Sequence, residues 1–230
     1  VTPNQVSYVV ALLGIVGCWF IAQPGQRALV LGSCLVLAGG FLDGCDGEIA
    51  RLRVTGSKFG AWLDTVVDEL TTTLCFVAIG LHAHAHLGAE HGWIAPAIVV
   101  GTACYVAAIY GIYYFLIVVS KTGNSQHYVG RLEIVDDAAR GVGLRAVATA
   151  GGPPSGVARV IAVLSHGVRR DFINLGTVAL AGFDLYEVIF GGMLLGGVGT
   201  ALMVVPEHLR LRGQLRELRR RGVEPRLLPV

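Results

Sequence analysis

The chain has 230 residues, of which 53% are hydrophobic and 15% charged, with a formal net charge of +2. So little charge excludes an ordinary soluble globular domain, which carries about 25% charged residues, and gives no reason to expect a nucleic-acid partner. The 32 glycines instead suit a polytopic membrane protein, where small residues let helices approach closely.

The length fits one membrane domain over residues 1–230, and the start at Val1 rather than Met leaves room for an upstream soluble domain. A bilayer-crossing helix needs about 20 mostly apolar residues. Six such runs are expected, at residues 5–22, 28–50, 59–83, 93–119, 157–183 and 186–205. Turn chemistry separates them: QPGQ at 23–26, HLGAEHGW at 86–93 and GGPPSG at 151–156. The expected fold is therefore an all-α bundle of six transmembrane helices in a cell membrane.

Basic residues orient such bundles, because Lys and Arg are retained on the cytoplasmic side. Arg51, Arg53 and Lys58 lie in the second connection, and Lys121, Arg131, Arg140, Arg145 and Arg159 in or beside the fourth. Seven more arginines occupy the tail after residue 205, so fifteen of eighteen basic residues fall on one side. Both termini are expected in the cytoplasm, with the second connection facing it.

Several features along the chain have simple readings. The five cysteines (Cys18, Cys34, Cys45, Cys75, Cys104) lack zinc-finger spacing and read as small packing residues. His82, His84, His86 and His91 cluster towards the outer face. His82 and His86 have the spacing of a metal-binding pair, but an interfacial loop is the simpler reading. Tyr110, Tyr113, Tyr114 and Phe115 read as an aromatic belt at the membrane boundary. Residues 120–156 form the one long polar excursion, either a linker or a lid. In SHGVRRDF, two arginines and an aspartate interrupt the fifth run. Either Asp171 pairs with Arg169 or Arg170 inside the bundle, or the arginines form a cationic pocket for an acceptor or head-group phosphate. The tail LRLRGQLRELRRRG reads as a basic helix on anionic lipid. Small-residue motifs make a homodimer plausible.

The acids are concentrated elsewhere. Residues 42–70 hold Asp43, Asp46, Glu48, Asp64, Asp68 and Glu69. Residues three, four and seven apart share a helical face, so Asp43, Asp46, Gly47 and Ala50 line one stripe of the second run. Gly60, Asp64 and Asp68 line one stripe of the third. A short turn folds the two runs antiparallel, and four carboxylates then converge. Four like charges need compensation, and hard divalent cations such as Mg²⁺ or Mn²⁺ supply it through carboxylate oxygens. Two ions can share four carboxylates, as in sites for transfer at phosphorus. Arg51 stands where a phosphate oxygen would need it. These residues point to metal-assisted chemistry on a phosphate compound reached from the cytoplasm. A divalent-cation transporter using the same carboxylates is the alternative. Against it, the acids lie near one face and Arg51 would repel a passing cation.

The spacing D-x2-D-G-x2-A-R-x8-G-x3-D-x3-D, matched by Asp43, Asp46, Gly47, Ala50, Arg51, Gly60, Asp64 and Asp68, resembles the signature of the CDP-alcohol phosphotransferase (CDP-alcohol phosphatidyltransferase) family. Thr2 to Asn4 resemble the family's usual opening. LDGCDGEIAR and SHGVRRDF resemble its inositol-phosphate-handling branch. The resemblance implies transfer of a substituted phosphoryl group from a CDP-alcohol to a second alcohol, with release of CMP. It also implies that Asp43, Asp46 and Asp64 bind metal, and that Asp68 binds metal, serves as general base on the acceptor hydroxyl, or does both. Gly47, Ala50, Arg51 and Gly60 would surround the cytidine diphosphate. The donor would be CDP-diacylglycerol or a CDP-linked polar alcohol.

Overall fold

The structure, a computed structural model, describes residues 3–53, 58–121, 128–137, 141–146, 170–223 and 227–228. Within these, the side chains of 3–4, 45–53, 58–61, 63–64, 89, 137, 141, 170–172 and 228 are outside the description. Six α-helices follow in order: α1 Pro3–Ala22, α2 Gln26–Arg53, α3 Lys58–Leu87, α4 Ile94–Phe115, α5 Arg170–Gly182 and α6 Tyr186–Arg220. Five of them are long and apolar enough to cross a membrane. The fifth expected run is represented by α5, and residues 157–169 lie outside the description. An all-α, multi-pass membrane bundle is therefore what the chain forms, with one small sheet added to it.

The chain divides into two compact units, Val1–Thr102 with Ser155–Gly196, and Ala103–Pro154 with Gly197–Val230. In the first, α1 packs against both α2 and α3, and α2 against α5. The core gathers Ile21, Leu29, Val36, Phe76, Ile79, Ile94, Ala181 and Phe190. Close approach depends on absent side chains. A Cβ on Gly32 would lie 2.5 Å from the Gly17 carbonyl oxygen and 2.7 Å from the Ile21 nitrogen, so α1 and α2 touch backbone to backbone. A Cβ on Gly14 would meet the Thr71 hydroxyl at 2.7 Å, which brings α1 onto α3.

The turns are built as their residues require. In QPGQ, Gly25 takes φ 104, a region open to glycine, and its carbonyl accepts from the Ala28 and Leu29 amides at the start of α2. Gln26 Nε2 donates to the Gly182 carbonyl at 2.8 Å, tying this turn to the end of α5. After α5 the Asp184 amide donates to the Ala181 carbonyl and the Leu185 amide to the Leu180 carbonyl. With Asp184 at φ 58 this is a Schellman cap. The end of α6 repeats the device at Gly222 and Val223.

In the second unit α4 passes into a π-helical turn, Leu116–Ser120, closed by left-handed Lys121 at φ 52. Part of the polar excursion that reads as a linker or lid is a β-hairpin. Strand β1, Leu132–Asp137, pairs antiparallel with β2, Gly141–Ala146, with Ile134 opposite Leu144. A two-residue strand β3, Leu227–Leu228, runs parallel to β2. The hairpin face packs onto Phe115, Leu116, Val119, Leu211, Leu215 and Leu218. Gln214 Nε2 donates to the Leu132 carbonyl at 2.8 Å.

Two local readings change here. Phe115 is 1% exposed and belongs to this core rather than to a boundary belt, while Tyr110 remains 55% exposed. The basic tail is continuous with the last apolar run through Pro206, giving a helix of 35 residues. At 1.5 Å per residue that is about 52 Å, well beyond a hydrocarbon core of about 30 Å. Its leucines at 211, 215 and 218 are buried on the hairpin.

The Gly17–Gly32 crossing leaves no room for a methyl group. Gly32→Ala should destabilise the protein by about 1–3 kcal/mol, the usual cost of overpacking. Gly176→Ala, where the space is open, should be neutral or slightly stabilising. Thermal unfolding of the purified protein in detergent, comparing the two midpoints with wild type, checks this.

Candidate active site

The acidic stretch lies on α2 and α3. Among the described residues, the apolar spans of these helices are Gln26–Gly44 and Thr65–Leu87, and Asp43 and Asp68 lie within them. Asp46, Gly47, Ala50 and Arg51 lie further along α2, and Gly60 and Asp64 nearer the start of α3. The backbone of each is helical; the side chains of these six are outside the described residues.

Depth along the two helices matches. Asp43 is ten residues from Arg53, and Asp68 ten from Lys58. At 1.5 Å per residue both are about 15 Å from the helix ends that flank residues 54–57. Asp46 and Asp64 are seven and six residues from the same ends, about 9–10 Å. Asp46 and Asp64 thus stand at similar distances from these helix ends, and Asp43 and Asp68 at a deeper level.

The described side chains at this level, Asp43, Asp68 and Glu69, are half-buried. Thr72 Oγ1 donates to the Asp68 carbonyl at 2.9 Å, and Thr73 Oγ1 to the Glu69 carbonyl at 2.7 Å. Hydroxyls bonded back one turn in this way tend to bend a helix, so the turn of α3 that carries Asp68 has its own local determinants. Sequence reasoning passed over these threonines. The TTT triplet at 71–73, directly after Asp68 and Glu69, is the signal that marks them.

An all-carboxylate donor set suits Mg²⁺ or Mn²⁺ better than zinc or copper. Among the described residues, no three His, Cys, Asp or Glu groups are gathered closely enough to hold a metal; Asp46 and Asp64 are not among those side chains. Arg169 lies outside the description, and Arg170 is placed in α5 by its backbone alone.

The histidines at the other end of α3 have a structural use. His82 is fully buried, with Nδ1 2.8 Å from the Gln23 carbonyl. The carbonyl can only accept, so Nδ1 carries the proton. The His86 ring stacks on His82 at 4.4 Å, and Tyr186 packs edge-on to His82 at 5.4 Å. His82 is thus a core group joining α3 to the α1–α2 turn, rather than part of an interfacial loop. His84 and His91 are exposed.

Comparison with known proteins decides the family. The family model for CDP-alcohol phosphatidyltransferase matches residues 1–151, which include all eight positions of the acidic motif. The chain belongs to the CDP-alcohol phosphatidyltransferase family. It is 38% identical over 81 residues to "Bifunctional IPC transferase and DIPP synthase" of Aquifex aeolicus, a match covering 35% of this chain and 18% of that protein. It is 32% identical over 89 residues to an archaetidylinositol phosphate synthase of Methanothermobacter thermautotrophicus, covering 39% of this chain and 45% of that protein. A third relative, the CDP-diacylglycerol--inositol 3-phosphatidyltransferase of Drosophila melanogaster, is 27% identical over 103 residues, 45% of this chain and 42% of that protein. The chain therefore spans less than half the length of each of these family relatives.

Proposed function

We propose that this protein is a membrane transferase that moves a substituted phosphoryl group from a CDP-alcohol to an acceptor alcohol and releases CMP. The observation that carries this reading is the family match over residues 1–151, which contains the complete aspartate motif on two long apolar helices. The names of the relatives favour an acceptor of the inositol or inositol-phosphate class, within phospholipid or inositol-phosphodiester synthesis. The donor is CDP-diacylglycerol or a CDP-linked polar alcohol. The distribution of Lys and Arg favours cytoplasmic termini and a site open to the cytoplasm, and small residues on the helices favour a homodimer.

In this reading Asp43, Asp46, Asp64 and Asp68 would hold two divalent ions, Mg²⁺ or Mn²⁺, which would supply positive charge to the donor diphosphate and to the departing CMP. Gly47, Ala50 and Gly60 leave room for the cytidine diphosphate beside the carboxylates. Arg51 donates to a phosphate oxygen with its planar guanidinium. Asp68 lies at the deeper level and takes the proton of the acceptor hydroxyl as that oxygen bonds to the alcohol-bearing phosphorus. The bond from that phosphorus to the oxygen of CMP breaks in the same displacement. A carboxylate beside cations is a weak base, so Asp68 contributes by alignment as much as by basicity. Arg169 and Arg170 offer positive charge to a phosphate on the acceptor or its head group.

Calorimetric titration of CDP is expected to show binding with Mg²⁺ and none after thorough chelation; equal affinity in both conditions would remove the metal from the donor site. Asp68→Asn should keep metal-dependent CDP binding while turnover falls by about 10² to 10⁴-fold, the usual contribution of a general base. A mutant with wild-type turnover beside an inactive Asp43→Asn would move the base elsewhere. Arg169→Gln or Arg170→Gln is expected to weaken the acceptor's apparent affinity about tenfold to a hundredfold, the loss of one charge-assisted hydrogen bond. Donor affinity should hold. If both folded variants keep wild-type kinetics with phosphorylated and unphosphorylated acceptors, these arginines serve the bundle alone.

A further inference from the structure

The seam between α1 and α3 holds a pair of thiols that the proposed reaction does not use. Cys18 and Cys75 are free, and their Sγ atoms are 3.2 Å apart. Cys18 is 5% exposed and Cys75 is half-buried. The Cys18 thiol also lies 3.8 Å from the Thr71 carbonyl, to which it donates. One turn earlier on both helices, Gly14 meets Thr71. The contacts thus step by four residues on each helix, which is the register of two helices packed along one another. The helix-to-helix distance at the thiols is fixed by that glycine contact.

We propose that Cys18 and Cys75 form an intramembrane dithiol that closes to a disulfide. A disulfide needs about 2.05 Å between sulfurs, so closure asks for about 1 Å of approach, which small side-chain rotations supply without moving a helix. The apolar surroundings exclude glutathione and protein thiols. The oxidant is a small neutral peroxide, which enters hydrocarbon. One thiol is oxidised by hydrogen peroxide to a sulfenic acid, with loss of water. The second sulfur then attacks that sulfur; the S–S bond forms, the S–O bond breaks, and the hydroxyl leaves as water with the second thiol's proton. Two thiols and one peroxide give one disulfide and two waters. Asp68, Thr71 and Cys75 share a face of α3 at spacings of three and seven residues. The bond therefore anchors to α1 the same helix face that carries Asp68, whatever reaction that residue serves.

The test uses the full chain in detergent or nanodiscs, treated with hydrogen peroxide, quenched, unfolded, alkylated and mapped by mass spectrometry. The expected product is a peptide pair joined through Cys18 and Cys75. The intact mass should fall by about 2 Da, the loss of two hydrogens, and dithiothreitol should reverse it. The thermal midpoint of the oxidised protein should be no lower than that of the reduced protein. Cys18→Ala and Cys75→Ser should each abolish the cross-link, and either one that folds suffices for the comparison. Full alkylation of Cys18 and Cys75 after peroxide would overturn the proposal. So would a disulfide that joins either residue to another cysteine, or one that forms only after unfolding.

Discussion

A carboxylate at the centre of a bilayer costs about 3 kcal/mol on insertion scales, and the two apolar helices α2 and α3 carry four of them. Asp43 and Asp46 stand near the end of α2, which runs to Arg53, and Asp64 and Asp68 near the start of α3, which runs from Lys58. The aspartates are therefore held on rigid, hydrogen-bonded backbone rather than on loops. A site for transfer at phosphorus needs such fixed geometry for its ligands.

The scaffold behind those two helices is α1. Without a hydrophobic driving force between helices in lipid, association rests on close packing, and Gly14 and Gly17 give α1 two surfaces close enough to use. One receives Thr71 of α3 and the other the backbone of α2 near Gly32. At the far end of α3, the buried His82 and its bond to the Gln23 carbonyl fix the helix against the α1–α2 turn. Asp43 and Asp68 therefore belong to two helices that share one support, and their relation is set by contacts well away from them.

The second unit solves a different problem. A helix as long as α6 leaves the apolar layer with leucines still on one side, and they must be covered. The hairpin β1–β2 and the π-helical end of α4 cover them. The arginines at 212, 216, 219 and 220 stay exposed, while Arg221 pairs with Glu217 at 2.9 Å. Burial of Leu132 and Leu144 on one hairpin face, with Glu133 exposed on the other, is the alternation that a half-covered sheet requires.

Length, charge and the spacing of apolar runs determined the class of this protein, because a membrane admits few ways to satisfy a backbone. The aspartate motif and its family were equally legible, since eight residue types at fixed gaps are a one-dimensional pattern. The hairpin was hidden: LEIVDD and GVGLRA are six residues each within a polar segment, and their apolar face has meaning only once Leu211, Leu215 and Leu218 lie against it. Phe115 likewise looked like part of a boundary belt until the same core enclosed it. The thiol pair needed the Gly14–Thr71 contact to set the register of α1 on α3. In each case the deciding term is a contact between residues far apart in the chain, and no local pattern encodes such a contact.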